Sequence, residues 1–445
     1  MTSSSRRPSP LAAVVLSLFA VGCAARTRRP PVQDMNSLAE SYVKLVLAVG
    51  EHDDGYVDAF YGPPAWREEV KAQKKTLPAI HSEAVTLIAE VERTPQYEDG
   101  TAEQLRRNYL TRQLQALTSW VEHLEGKRLP FDQESRALYD AVAPTHPLES
   151  FQPALDALDQ ALPGTGPLHE RYHAFRNRFV IPPERLDGVF QAAIAACRKK
   201  TAERIPLPPG ETFVLEYVKD KPWSGYNWYQ GKFHSLIQVN TELPIYIDRA
   251  LDLACHEGYP GHHVYNALLE QTLVQGRGWV EFTVYPLYSP QSLIAEGSAN
   301  YGVDLAFPDE ERVQFEQQTI FPLAGLDPAG AANYYRIQNL AEKVGYAANE
   351  VARRRLDQGL DDAESIRLLV RYALMSPERA AQRIKFIDHY RSYVINYNLG
   401  KDLVRQYVEA RGGDSVEERW KVFTQLLSSP RLPSDLQTPK KGAAP

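Results

Sequence analysis

One stretch constrains this chain more than any other: Cys255, His256, Glu257, Gly258, Tyr259, Pro260, Gly261, His262 and His263 in direct succession. A His-Glu pair closely followed by two more histidines is the residue set a zinc hydrolase needs. Zinc takes neutral imidazole nitrogens at ~2.0–2.1 Å, and a hydrolytic site keeps three protein ligands and leaves the fourth position to water. A carboxylate beside that water can take its proton, and the metal lowers the water's pKa towards ~7. His256 and one of the pair His262 and His263 supply two ligands, and Glu257 supplies the base. The third ligand must come from elsewhere, and Glu296 is the best candidate.

The spacing departs from the HExxH pattern, in which the two histidines lie four apart on one helical face. Here they lie six or seven apart. On a straight helix, a rise of ~1.5 Å per residue would set the seventh residue about 10 Å away, beyond the reach of one ion. The helix must therefore break or bulge, and Pro260 and Gly261 provide the means, one by removing a backbone donor and the other by tolerating unusual dihedrals. Spacing alone leaves both His262 and His263 open. Taking out the Pro-Gly pair restores the four-residue interval for His262, which favours it. The bland alternative is a set of ordinary polar residues at a helix end. Three of eleven histidines within eight positions, around a Glu and a helix breaker, speak against that.

This stretch resembles the signature of a bacterial family of unknown function, many of whose members look like lipoproteins: His-Glu-x-x-Pro-Gly-His-His, then a Glu-Gly-x-Ala-x-Tyr segment. The second segment reads Glu296-Gly297-Ser298-Ala299-Asn300-Tyr301 here, and Gln238-Val239-Asn240-Thr241 also fits. The resemblance runs from about residue 35 to about residue 412 and is strongest between 223 and 301. It implies a mainly α, helical zincin-like metallopeptidase fold related to the Glu-ligand zinc proteases. It names no substrate.

The N-terminus reads as a targeting segment. Arg6 and Arg7 precede a nearly continuous apolar run over 11–21, which is short for a membrane span and fits a signal peptide core over residues 1–22. Gly22-Cys23 then looks like the cleavage and lipidation point of a bacterial lipoprotein, although Ala20 stands where Leu is usual. Residues 23–34 would be a lipidated tether. The expected location is the cell envelope, at the periplasmic face of the outer membrane, with the lipid anchor as the sole membrane contact. Losing Arg6 and Arg7 moves the net charge from −6 to −8, which is no footprint for nucleic acid. No protein partner is predicted. Of the remaining cysteines, Cys197 and Cys255, spacing cannot say whether they pair. A thiol nucleophile at Cys255 is disfavoured, because neighbouring residues on a helix point about 100° apart.

Between 35 and 205 the apolar residues recur at helical spacing, as in Leu38, Tyr42, Leu45 and Val46 and again in Leu105, Tyr109, Leu110, Leu114 and Leu117. The region 206–305 should carry the metal site with a small β-sheet beside the cleft: strands at 213–218 and 233–239, separated by an aromatic loop over 221–229. The later strand is the expected exposed edge along which substrate backbone would lie. Residues 306–427 read as helices again, and 428–445, rich in Pro, Ser and Lys, as a disordered tail. Arg391, Tyr393 and Tyr397 are candidate donors to a developing oxyanion, with Tyr346 a weaker one. Together these features predict a single-zinc hydrolase of short peptides. The alternatives are a zinc amidohydrolase acting on a non-peptide amide, using the same residues, and a non-catalytic envelope lipoprotein whose structural metal site takes His263 as fourth ligand.

Overall fold

The apolar stripes of the first half bury themselves as their spacing requires. In the computed structural model, which describes residues 1, 2, 34–221 and 223–437, Leu38, Tyr42, Leu45 and Val46 lie in the core on the helix Met35–Gly50. Asp34 caps that helix by accepting from the amides of Asn36 and Ser37 at 2.8 and 3.1 Å, satisfying donors that a helix start leaves free. Leu105, Tyr109, Leu110, Leu114 and Leu117 are likewise buried on Ala102–Leu124. The proposed signal segment, Cys23 and the tether up to residue 33 lie outside the described residues.

These helices do not stand apart from the metal-site region. Arg106 reaches Glu281 through Nε at 2.6 Å and Nη2 at 3.0 Å, and Tyr109 donates to Gln291 at 2.7 Å. From residue 34 onward the described residues form one compact, mainly helical unit. Among them no helix is long and apolar enough to cross a membrane.

Two small sheets interrupt the helices. Strand β1 (Val57–Phe60) pairs antiparallel with β5 (Val284–Pro286). Strands β2 (Thr212–Val218), β3 (Gly225–Gly231) and β4 (His234–Asn240) form a mixed sheet in the order β2-β4-β3, with β2 parallel and β3 antiparallel to β4. This corrects two expectations. The strand expected as an exposed edge is β4, the central strand, with partners on both sides. Much of the expected aromatic loop is β3, an edge strand. Its alternation explains why: Asn227 and Tyr229 are buried, while Trp228 stands 38% exposed, the period of two that a half-buried strand requires.

The tail also differs from expectation over its first part. Residues 433–436 form a short helix, and Leu432 and Leu436 are buried, so the packed chain extends to Gln437. Two apolar anchors suffice to hold a polar segment down. Residues 438–445 lie outside the described residues.

Candidate metal centre

The motif helix Ile247–Leu253 widens into a π-helical turn over Ala254–Gly258, then breaks at Tyr259-Pro260-Gly261 and resumes as His262–Leu269. The backbone bonds record the widening: Tyr259 N donates to Ala254 O at 3.3 Å and Gly261 N to Cys255 O at 2.9 Å. Such π insertions recur at functional sites because they rotate side chains out of the α-helical register. Gly261 is required by close approach, since a Cβ there would sit 1.8 Å from His256 O. The break returns His262 to His256, with 3.1 Å between their Nε2 atoms.

Glu296 comes to the same point from the helix Pro290–Ala306. Its Oε2 lies 3.3 Å from His256 Nε2 and 3.8 Å from His262 Nε2. That oxygen is buried and has no hydrogen-bond partner, an expensive state for a carboxylate unless something else neutralises it. Three donors at 3.1, 3.3 and 3.8 Å form one triangular face. Tetrahedral zinc with bonds of ~2.0–2.1 Å needs edges of about 3.3 Å, so the residues present fit that ion. Glu257 is near too, with a carboxylate oxygen and the two imidazole nitrogens lying within 4.8 Å of one another. Glu296 Oε2, 3.3 and 3.8 Å from the two nitrogens, closes the triangle at spacings that one ion can share.

The surroundings orient these groups. Asn300 Nδ2 donates to Tyr397 O at 3.2 Å, so Asn300 Oδ1 faces His256 Nδ1, 3.1 Å away. The imidazole proton therefore sits on Nδ1, and Nε2 presents its lone pair to the triangle, as an outer partner does for a metal-binding histidine. Tyr393 donates to Glu296 Oε1 at 2.9 Å. Burial holds the His262 imidazole at about 4, hence neutral as a ligand must be. Burial also pushes the Glu257 carboxyl up to about 7. A second acid nearby, the half-buried Asp58 on β1, accepts from Tyr226 on β3 and is raised to about 7 by burial. Both Asp58 and Tyr226 line the same cleft as the histidines.

Two close approaches fix this geometry. A Cβ on Gly297 would lie 2.4 Å from the backbone of Gly400, so the Glu296 helix and the helix Ile395–Gly412 touch backbone to backbone. Cys197, on the helix Leu186–Ala202, is bonded to Cys255, immediately before His256. The disulfide, which spacing left open, ties the π turn to the first half of the chain and removes Cys255 as a nucleophile.

Four predicted residues stand elsewhere or do other work. His263 is fully buried and turned away from the triangle: Ser235 Oγ lies 2.9 Å from its Nδ1 and Glu211 Oε2 lies 3.1 Å from its Nε2. Glu211 also accepts from Tyr259 at 2.5 Å and from Arg198 at 2.6 Å. With both nitrogens occupied, His263 is a brace between the motif and the sheet, not a ligand. Arg391 pairs with Glu134 at 2.6 Å, outside the cleft, where Glu134 also binds Ser392. The arginine holds a helix junction and cannot reach an oxyanion. Tyr393 lines the cleft with its hydroxyl committed to Glu296. Tyr397 also lines the cleft, and no described group accepts from its hydroxyl, which leaves that donor free. Tyr346 donates to Asp402 at 2.5 Å on another part of the wall. Sequence reasoning missed Asn300, although its i,i+4 relation to Glu296 puts both on one helical face. It also missed Asp58, which no local pattern marks.

The cleft holds about 1560 Å³, well above the ~300–1,000 Å³ common for small-molecule sites.

No protein-family profile matches the chain, and no curated protein matches it. The signature likeness therefore stays a resemblance. Among solved structures the chain is similar to a candidate lipoprotein from Colwellia psychrerythraea, at 17% identity and TM-score 0.47, over 89% of this chain and 76% of the other. It is also similar to a candidate lipoprotein of unknown function from Shewanella oneidensis, at 14% and 0.40, over 87% and 82%. A third is an M32 carboxypeptidase from Deinococcus radiodurans R1, at 14% and 0.34, over 88% of each chain.

Proposed function

We propose that this protein is a zinc-dependent peptidase of the cell envelope. The observation that carries the reading is the donor triangle of His256, His262 and Glu296 beside the buried carboxyl of Glu257 in a large cleft. Bound there, zinc would supply a Lewis acid and a water molecule that gives up its proton near neutral pH. His256, held by Asn300, and Glu296, held by Tyr393, present their lone pairs without further rearrangement. Glu257 accepts the proton of the attacking water and later delivers it to the leaving amine. The uncommitted hydroxyl of Tyr397, on the cleft wall, is the donor assigned to steady the negative charge on the carbonyl oxygen. With both its nitrogens committed to Ser235 and Glu211, His263 does not supply the fourth ligand that a closed structural site would need. The cleft volume suits an extended chain, which favours a peptide over a small amide. The Cys197–Cys255 bond supports a compartment outside the cytoplasm, since reducing compartments disfavour structural disulfides. The targeting segment points the same way.

The test pairs metal content with turnover. The purified protein should carry one equivalent of zinc, and Glu296→Ala should lose it. Glu257→Gln should retain zinc while hydrolysis of a peptide library falls by about 10²–10⁴-fold, the usual contribution of a positioned base. A protein that takes up no zinc, or a Glu257→Gln variant with intact turnover, would sink the reading.

A further inference from the structure

The helix Pro377–Tyr390 sends one face into the cleft: Arg379, Arg383, Phe386 and Tyr390, spaced four, three and four apart. Two of these are arginines with no carboxylate. Among the described residues Arg383 has neither an ion pair nor a hydrogen bond, and its Nε is buried without a partner. Its guanidinium lies 4.8 Å from the Phe386 ring centre. Arg379 donates only to Pro244 O, at 3.2 Å, and stacks over Tyr246 at 5.4 Å. Three other arginines of the same cleft are neutralised from within the protein, Arg312 by Asp252 at 2.7 Å, Arg405 by Asp304 at 2.6 Å and Arg249 by Asp252 at 3.3 Å. Arg336 has no carboxylate either, but its guanidinium is exposed and held by Asn333 Oδ1 at 2.8 Å. Burial lowers both Arg379 and Arg383 from their ordinary range, the mark of guanidinium groups that lack a compensating charge.

The pair is joined to the metal site through aromatic contacts. Phe386 lies 6.3 Å from Tyr397, which lies 5.9 Å from Tyr393, which binds Glu296. A ligand lying along that wall from the donor triangle would bring an anionic group to the two arginines. Guanidinium presents a planar fork that matches a carboxylate with two parallel hydrogen bonds, and a peptide's own anions are carboxylates.

We infer that Arg383 and Arg379 form a carboxylate-binding subsite of the cleft, which selects peptides carrying that group a short distance from the bond cut. This deepens the peptidase reading and rests on it. The carboxylate can be the free C-terminus or an acidic side chain, and the experiment separates the two.

Zinc-loaded Glu257→Gln protein is titrated calorimetrically with four N-acetylated tripeptides: Ala-Ala-Phe as free acid and as carboxamide, and the carboxamides of Ala-Glu-Phe and Ala-Gln-Phe. The expected result is that one acid binds about tenfold or more tightly than its neutral twin, in line with a charge-assisted hydrogen bond. Arg383→Gln or Arg379→Gln, added to that background, should erase most of the preference. Arg383→Lys, which keeps the charge and loses the fork, covers the case in which the glutamine variant fails to fold, and it should show a reduced preference. A preference for the first pair identifies the C-terminus, and for the second pair a side chain. Equal binding within both pairs, no binding of any peptide, or a preference that survives all three arginine variants would overturn the subsite. The peptidase reading is scored separately: wild-type zinc protein that cleaves no peptide, while the acid preference stands, loses the activity and keeps the subsite.

Discussion

His256 Nδ1 lies 3.1 Å from Asn300 Oδ1, and Asn300 is held in turn by its own bond to the carbonyl of Tyr397. Three elements thereby set the tautomer of one imidazole: the π turn, the Glu296 helix and the start of the helix Ile395–Gly412. Asn300→Ala leaves that proton without an acceptor and the ring free to turn. Zinc affinity, read by competition against a chelator, should fall about 10–100-fold, the usual effect of losing an outer partner. The circular dichroism spectrum should stay unchanged. An unaltered affinity would show that packing alone orients His256.

The disulfide predicts a stability effect through its position as well as its loop. It closes a segment of 58 residues, for which the chain-entropy account gives about 4 kcal/mol, and native bonds in general give ~2–5 kcal/mol. Replacing Cys197 and Cys255 together by Ser and Ala should lower the denaturant midpoint accordingly. Zinc affinity should weaken too, because Cys255 precedes His256 in the π turn. Urea unfolding followed with and without zinc checks both.

His123 gives the fold a pH dependence of defined sign. Its imidazole stacks on Trp120 at 4.5 Å, and burial, then Arg128, lowers it to about 4. An unfolded chain would bind that proton near the ordinary value of ~6.5. Between the two values the unfolded state carries the extra proton, so stability rises with pH there. The contribution is complete above about pH 6.5 and is lost as the pH falls towards about 4. Melting temperatures from pH 4 to 7 should show this slope, and His123→Gln should flatten it. An identical slope in the variant would assign it to other groups.

Much of the site was legible because its chemistry is local. His256, Glu257 and the Pro260-Gly261 break stand within six positions, and helix geometry requires the break to return a second histidine, with His262 favoured over His263 only by the four-residue interval. His263 was not legible in this way. Its partners Ser235 and Glu211 lie 28 and 52 residues away, so only the folded sheet shows that both its nitrogens are used. Arg391 misled for the same reason, since Glu134 lies 257 positions upstream. Strand β3 looks like a loop in the sequence because Pro222 and Gly225 read as punctuation, while the Tyr226-Asn227-Trp228-Tyr229 alternation carries the decisive period. The amphipathic helices were the easiest to read, because burial of a periodic stripe needs no knowledge of the partner.

Gly297 offers the most direct test of the tie between packing and chemistry. Its Cα faces Gly400 so closely that an added Cβ would meet backbone carbon and oxygen at 2.4 Å. Backbone atoms cannot swing aside as a flexible side chain can, so Gly297→Ala must push the two helices apart. Overpacking of this kind costs about 1–3 kcal/mol. Glu296 is the neighbouring residue on one helix, and Tyr393 and Tyr397 flank the start of the other. The displacement should therefore stretch the Tyr393–Glu296 contact and the donor triangle together. Thermal denaturation should show the stability loss in zinc-free protein, and zinc affinity should fall in the same variant. Ser298→Ala, which shares the helix and loses only a bond to Ala295 O, should leave affinity close to wild type. Equal losses in the two variants would mean that general helix destabilisation, not the Gly297–Gly400 contact, controls the site.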